Sequence, residues 1–246
     1  MSRQLTSGVL GRKRVFTPSD IPGLVLWIDV QSYPLGSLAT ITDKSNGHIF
    51  TPFSIANPLS IIKEGNAKFI SFDGSNHYLN QTTAIDIFRN VSGITYYSYS
   101  KFNTISGASK YLFGANTPGV NNNQIVRFGL RSNNNNIDLL GRRLDNDSLQ
   151  TVGYSGNTNK NIFRVVVDYQ NSDVFLFQNN VLMVSSLSFQ TNGNTSDTSS
   201  NKISIGGFGT NLDFIGLMGE TIIYNRTLSE VENSFIQNYY QNKYNI

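Results

Sequence analysis

Apolar and polar residues alternate in short bursts along most of this chain, and Gly, Pro, Asn and Asp break the bursts every few positions. Residues 24–30 (LVLWIDV) form an apolar, β-branched run that predicts a first strand. Further strands are predicted at 49–55, 68–72 with 78–79, 94–102, 124–131, 137–140, 162–169, 174–178, 181–185, 202–205 and 217–224. Within 94–102 one face would carry Ile94, Tyr96, Ser98, Ser100 and Phe102, and the other Thr95, Tyr97, Tyr99 and Lys101. Neither face is purely apolar, so the pattern leaves open which one is buried. Asn179 and Asn180 join two strand patterns and tolerate positive φ, which predicts a tight hairpin. The period changes near the C-terminus. Ser229 and Glu232 make a capping box, and Val231, Phe235 and Tyr239 share a stripe with Ile236 and Tyr240 beside it. This predicts one amphipathic helix over about 230–243, docked by its aromatic stripe. Residues 1–20 are polar and aperiodic and predict an extended arm. Many short strands with frequent turns predict an all-β fold, a two-sheet antiparallel jelly-roll sandwich over 21–246.

Composition narrows the function classes. Of the 246 residues, 39% are hydrophobic and only 14% charged, against a usual charged share of about 25%. Asn, Ser, Thr and Gly fill the surface, which suits hydrogen bonding to neutral polyols or to other proteins. The net charge of +3 is small and its basic residues are scattered, so nucleic acid is not an expected partner. The exception is the run Arg12-Lys13-Arg14, which reads either as a solvated tail or as an anchor on a neighbouring subunit. The absence of cysteine excludes disulfides, thiolate chemistry and Cys-bound zinc. No N-terminal secretory pattern and no apolar run of about 20 residues is present. The expectation is synthesis in a host cytoplasm without membrane insertion. Asn-x-Ser/Thr triplets at Asn80, Asn90 and Asn225 then reflect an Asn-rich composition rather than glycosylation.

Four stretches share a family look: Pro22-Gly23-Leu24-Val25-Leu26-Trp27-Ile28-Asp29; Asp43-Lys44-Ser45-Asn46-Gly47; residues 70–79 (ISFDGSNHYL); and residues 219–230 (GETIIYNRTLSE), followed by a helix ending Lys243-Tyr244. In this order the chain resembles the LamG-like jelly-roll family of concanavalin A-like domains over about residues 20–246. Versions with the Leu-Trp-Ile-Asp opening and the terminal helix are similar to domains in structural proteins of tailed phages and large DNA viruses. The resemblance implies two stacked antiparallel sheets but no single function, which must be argued from the site.

Glycoside hydrolases on this fold need two nearby carboxylates. The Glu-x-Asp-x-Glu run of the family's glucanases is absent, and Glu220 and Asp213 only flank the start of a predicted strand. Glu230 and Glu232 suit the helix start. His48 and His77 lack any nucleophile-elbow context. Gly206-Gly207-Phe208-Gly209 lacks a P-loop lysine and reads as a strand-end turn. The chain is therefore expected to have no catalytic residues and no cofactor. Calcium would be the one candidate ion, at Asp43, Asp73 and Asn76, whose alternative role is turn capping. A glycan site would draw on Tyr97, Arg127, Arg131, Asn133 and Arg142, with the Tyr97 and Arg127 strands meeting in one sheet. The leading expectation is a non-enzymatic protein of a virion surface, a decoration, spike or fibre-associated jelly roll. It would contact other virion proteins and copies of itself, with glycan or host-surface attachment as an added role. The alternatives are a free carbohydrate-binding module and a divergent glycoside hydrolase.

Overall fold

The computed structural model describes residues 15–54, 58–75, 77–81, 86–116, 126–197, 202–207 and 212–246. Arg12, Lys13, Arg14 and Asn76 lie outside the described residues. Strands are numbered in chain order. A nine-stranded sheet runs β15 (Val181–Ser186), β14 (Asp173–Gln178), β13 (Lys160–Asp168), β8 (Gly93–Phe102), β17 (Ile215–Tyr224), β6 (Ala67–Asp73), β5 (Ser60–Glu64) and β2 (Gly36–Ser37). β1 (Leu24–Asp29) also pairs with β17, beyond the end of β6. The second sheet has eight strands: β12 (Gln150–Ser155), β11 (Asn136–Gly141), β10 (Val126–Asn133), β9 (Lys110–Asn116), β16 (Lys202–Ile205), β7 (Leu79–Gln81), β4 (Ile49–Pro52) and β3 (Ile41–Thr42). All these pairings are antiparallel, so the expected two-sheet sandwich is the architecture. The hairpin residues Asn179 and Asn180 take φ of 51° and 65°, as a tight turn matching the strand twist requires.

Between the sheets lies one continuous apolar core. Leu26, Ile28, Ile70, Phe72, Ile94, Tyr96 and Phe102 pack from one sheet against Phe50, Phe113, Phe128, Leu130 and Leu139 of the other. A second core covers the outer face of the nine-stranded sheet. There α1 (Glu230–Tyr244) lays Ile236, Tyr240 and Tyr244 over Phe69, Tyr97, Tyr99, Ile162, Ile222 and Tyr224. β8 is thus buried on both faces, which is why its two mixed faces could not be told apart by pattern alone. The helix docks one stripe over from expectation. Asn233, Ile236, Gln237, Tyr240 and Tyr244 are buried, whereas Val231 and Phe235 are exposed.

Of the expected arm, residues 15–20 are described, and they pack on the domain. Pro18–Asp20 forms a 3-10 turn, Tyr224 donates its hydroxyl to the Pro18 carbonyl at 2.8 Å, and Phe16 stacks on Phe235 at 5.6 Å. This gives Phe235 a partner away from the sheet and accounts for its outward direction.

The helix start is locked as its sequence indicates. Ser229 and Glu232 complete the capping box, and Arg226 grips Glu232 at 2.5 Å. Arg226 holds the Glu232 carboxyl at about 2, well below its ordinary 4.5. A lowered carboxyl contributes stability that is present above its unfolded pKa and lost as pH falls toward the folded value. The pair is partly exposed and screened, so its contribution is about 1 kcal/mol. Glu232→Gln is expected to lower stability by about that amount at pH 7. The same variant should flatten stability against pH between 4.5 and 2, which urea melts across that range will read.

Candidate functional site

A cleft of about 520 Å³ opens where the narrow ends of the two sheets converge. β2 brings Ser37 from one sheet and β4 brings Thr51 and Pro52 from the other; Leu38, Ala39, Phe53, Ser54 and Pro58 complete the lining. Phe53 is its most distinctive feature. The Phe53 amide donates to the Tyr78 carbonyl at 2.9 Å, extending the β4–β7 ladder by one residue. Its ring lies on the Tyr78 ring at 4.6 Å and 15°. Tyr78 is itself buried, and burial together with the nearby Asp213 charge pushes its phenol up to about 12. Phe53 therefore rests on a rigid, neutral aromatic, yet it remains 55% exposed. Among the described residues no charged side chain lines the cleft, while Ser37, Thr51 and Ser54 do. An apolar concavity with a few polar groups is the usual form of a small-molecule site. This one offers a fixed ring for stacking and hydroxyls for hydrogen bonds.

The five residues expected to bind glycan are not brought together. Tyr97 is on β8 and Arg127 on β10, in opposite sheets, so their strands do not meet in one sheet. Tyr97 is fully buried beneath α1, where its hydroxyl donates to the Asn233 side-chain oxygen at 2.7 Å and its ring stacks on Tyr240. Arg127 is also sealed. Its guanidinium donates to the Arg143 carbonyl and the Asp145 carboxylate. Arg131 does occupy the outer face of the eight-stranded sheet, but it is engaged by Asp138 at 3.4 Å and by the Tyr111 hydroxyl at 3.1 Å. Asn133 accepts from Ser109, and Arg142 donates to the Asp145 carbonyl. These groups hold strand ends and the 142–147 segment in place.

The calcium candidates also have structural partners. Asp43 is buried and accepts from the backbone amides of Trp27, Ser45 and Asn46 at 2.7, 2.9 and 3.0 Å. It ties the 43–47 turn to β1. Asp73 accepts from the Ser75 amide and faces His77 at 2.7 Å. Among the described residues no three acidic or histidine side chains gather around a point that could hold a metal.

One carboxylate pair does exist, at a place the sequence did not suggest. Asp29 and Glu220 are opposite each other across β1 and β17, with Glu220 well inside its strand rather than at a strand start. Lys243 of α1 sits 2.9 Å from one and 3.0 Å from the other, and Lys44 reaches Asp29 at 2.6 Å. Trp27, Tyr239 and Tyr244 donate to Glu220 at 2.6, 2.8 and 3.0 Å. Glu220 is wholly inaccessible, and burial pushes its carboxyl up; Lys243 holds the Asp29 carboxyl below its ordinary value. A raised and a lowered carboxyl side by side resemble an acid–base pair. This pair is covered by α1, and both carboxylates are buried and held by the donors named above. It fastens α1 to the sheet.

No family model and no curated protein matches the sequence. Solved structures do match in fold. The binding domain of paraclostridial mosquitocidal protein 1 aligns with a TM-score of 0.66 at 16% identity, over 92% of this chain and 54% of the other. The ligand-binding domain of botulinum neurotoxin serotype D, solved with N-acetylneuraminic acid, aligns at 0.63 and 12% identity, over 90% and 52%. Trypanosoma rangeli sialidase aligns at 0.61 and 18% identity, over 88% and 33%. The likeness is one of fold. It shows a two-sheet jelly-roll sandwich, and the chain spans a third to just over half of the length of these three structures.

Proposed function

We propose that this chain is a non-catalytic carbohydrate-binding jelly roll whose site is the cleft at Phe53. The observation that carries the reading is an exposed ring, held flat on buried Tyr78, in an uncharged concavity lined by hydroxyls. A sugar ring would lay its apolar C–H face on Phe53 and give its hydroxyls to Ser37, Thr51 and Ser54. With no cation lining the cleft, the favoured ligands are neutral sugars rather than the sialic acid held by the neurotoxin domain. The fold likeness to toxin binding domains supports binding, and the sealed Asp29–Glu220 pair gives a hydrolase nothing to work with. Phe53→Ala is expected to weaken binding to neutral oligosaccharides at least about tenfold, about 1.4 kcal/mol, without moving the melting temperature. A glycan array followed by titration calorimetry checks this. A wild-type protein that binds no neutral glycan overturns the reading.

In finer terms, we propose that the glycan site serves attachment from a virion surface, with residues 1–20 anchoring the domain to neighbouring virion proteins through Arg12, Lys13 and Arg14. The resemblance of the four sequence stretches to domains in phage and large-virus structural proteins supports this reading. A chain lacking residues 1–14 that still joins particles would remove the anchor role.

A further inference from the structure

An amine and two carboxyls meet where β1, β17 and α1 join. Glu220 is wholly inaccessible and Asp29 is 5% exposed. Lys243 Nζ donates to Glu220 Oε1 at 3.0 Å and to the Tyr239 hydroxyl at 2.7 Å. Its third position faces Asp29 Oδ1 at 2.9 Å. The rings of Tyr239 and Tyr244 lie 5.0 and 5.6 Å from the same nitrogen. Taking these charges out of water is costly, and an ion pair repays the cost only in part. A neutral bond between two of the groups would remove that cost.

The two oxygens of Asp29 are held separately. Lys44 Nζ lies on Oδ2 at 2.6 Å, and the Gln31 amide donates to Oδ1 at 3.0 Å. A cation fixed on Oδ2 draws charge from the carboxyl carbon and stabilises the negative charge that an attacking nitrogen places there. Glu220 contacts that nitrogen, and burial favours its protonated form. A buried carboxyl that accepts a proton readily and touches both an amine and its hydrogen-bonded neighbours can carry protons for the amine. Burial pushes the Asp29 carboxyl up, but Lys243 and Lys44 outweigh it, so the resting group is ionised. The proton that condensation needs is therefore supplied from within the cluster.

We propose that Lys243 and Asp29 condense into an isopeptide bond, with Glu220 carrying the protons. Lys243 passes one proton through Glu220 to Asp29 Oδ1 and becomes a neutral amine. Nζ then attacks the Asp29 carboxyl carbon, and Lys44 holds the charge on Oδ2. A second proton follows the same route, the bond from the carbon to Oδ1 breaks, and Oδ1 leaves as water. Of the three ammonium protons, two leave in that water and one remains on the amide nitrogen, so no outside reagent is consumed. Folding delivers the ion pair first, and the contact it fixes supplies the proximity that condensation lacks in free solution. The bond ties the first strand to the last element, in a chain that has no cysteine for a disulfide.

Intact-mass spectrometry of the full chain, kept folded at neutral pH and then denatured, tests this. The wild type should be lighter than its sequence requires by one water. Trypsin should leave the chain uncut after Lys243 and yield residues 15–44, which carry Asp29, joined to residues 227–246. Lys243→Arg keeps the positive charge but offers no comparable nucleophile, and should keep its full mass. Glu220→Gln retains a hydrogen-bonding side chain but carries no proton, and should also stay open. Circular dichroism checks that each variant folds, and the wild-type peptide map decides even where one does not. A folded wild type of full mass overturns the proposal. So does a missing water that maps elsewhere, such as a succinimide at Asp73-Gly74, or one that persists in Lys243→Arg. Closure in folded Glu220→Gln overturns the part given to Glu220.

Discussion

Lys243→Met is expected to destabilise the fold by about 3–5 kcal/mol, the usual cost of removing one partner from a buried ion pair. Among the described residues the ammonium is the only cation within reach of both Asp29 and Glu220. Lys44 remains on Asp29 after the substitution, whereas Glu220 keeps only the uncharged donors Trp27, Tyr239 and Tyr244. Burial already pushes the Glu220 carboxyl up, and losing Lys243 removes the strongest opposing influence. A carboxyl with a raised folded pKa contributes stability that is present below the unfolded value and lost as pH rises through the folded one. The defect of Lys243→Met should therefore be larger at pH 8 than near pH 4.5, the unfolded value of Glu220. Glu220→Gln added to Lys243→Met removes the stranded charge. The double variant should recover more than about 1 kcal/mol of the loss, the coupling expected of contacting residues. Denaturant melts of the three variants at both pH values check this. A single-variant loss below about 1 kcal/mol would mean the cluster behaves as an exposed one, and the Asp29–Glu220 pair would then be open to substrate after all.

This cluster also marks how far the sequence could be read. Although β9 with its Tyr111-Leu112-Phe113 run was missed, many strand positions were legible where apolar and β-branched residues ran together, as in β1, β13 and β17. So were the Asn179-Asn180 hairpin and the Ser229–Glu232 cap, because each depends on local chemistry. β12, an edge strand with Gly153 inside it and mostly exposed side chains, has no such signature and was missed. β5 was missed as well, its Lys63 and Glu64 diluting the pattern. The surroundings of the candidate glycan residues were hidden for a different reason. Strand period says that Arg127 and Arg131 share a face, and they do, with Phe128 and Leu130 turned to the core. It does not say that the 142–147 segment folds back over Arg127. Nor does the mixed pattern of residues 94–102 reveal that a helix distant in sequence covers Tyr97. The cleft is formed by β2 and β4 from different sheets, so its proximity is purely tertiary. Its one sequence trace, Phe53 directly after Pro52, reads more naturally as core.

Arg127 and Phe53 should therefore behave in opposite ways, and that contrast separates the two candidate surfaces. Arg127 is 1% exposed and its guanidinium spans two acceptors, the Arg143 carbonyl and the Asp145 carboxylate. Arg127→Ala leaves both without their donor and opens a cavity, so a loss of about 3 kcal/mol is expected. This is the lower end of the range for breaking a buried pair, because Asp145 retains some access to water. Arg127→Lys should rescue only part of the loss, since one ammonium cannot reproduce the planar fork that reaches both acceptors. Sugar affinity, measured well below the melting temperature, should be unchanged in both variants because neither touches the cleft. Phe53→Ala should show the reverse, full stability and weakened binding. If Arg127→Ala instead loses sugar binding while fully folded, the outer face of the eight-stranded sheet carries the site. Arg131 and Asn133, already half-exposed there, would then be its remaining members. If both variants bind as the wild type does, the ring at Phe53 contributes no stacking energy and the glycan contact lies on neither surface.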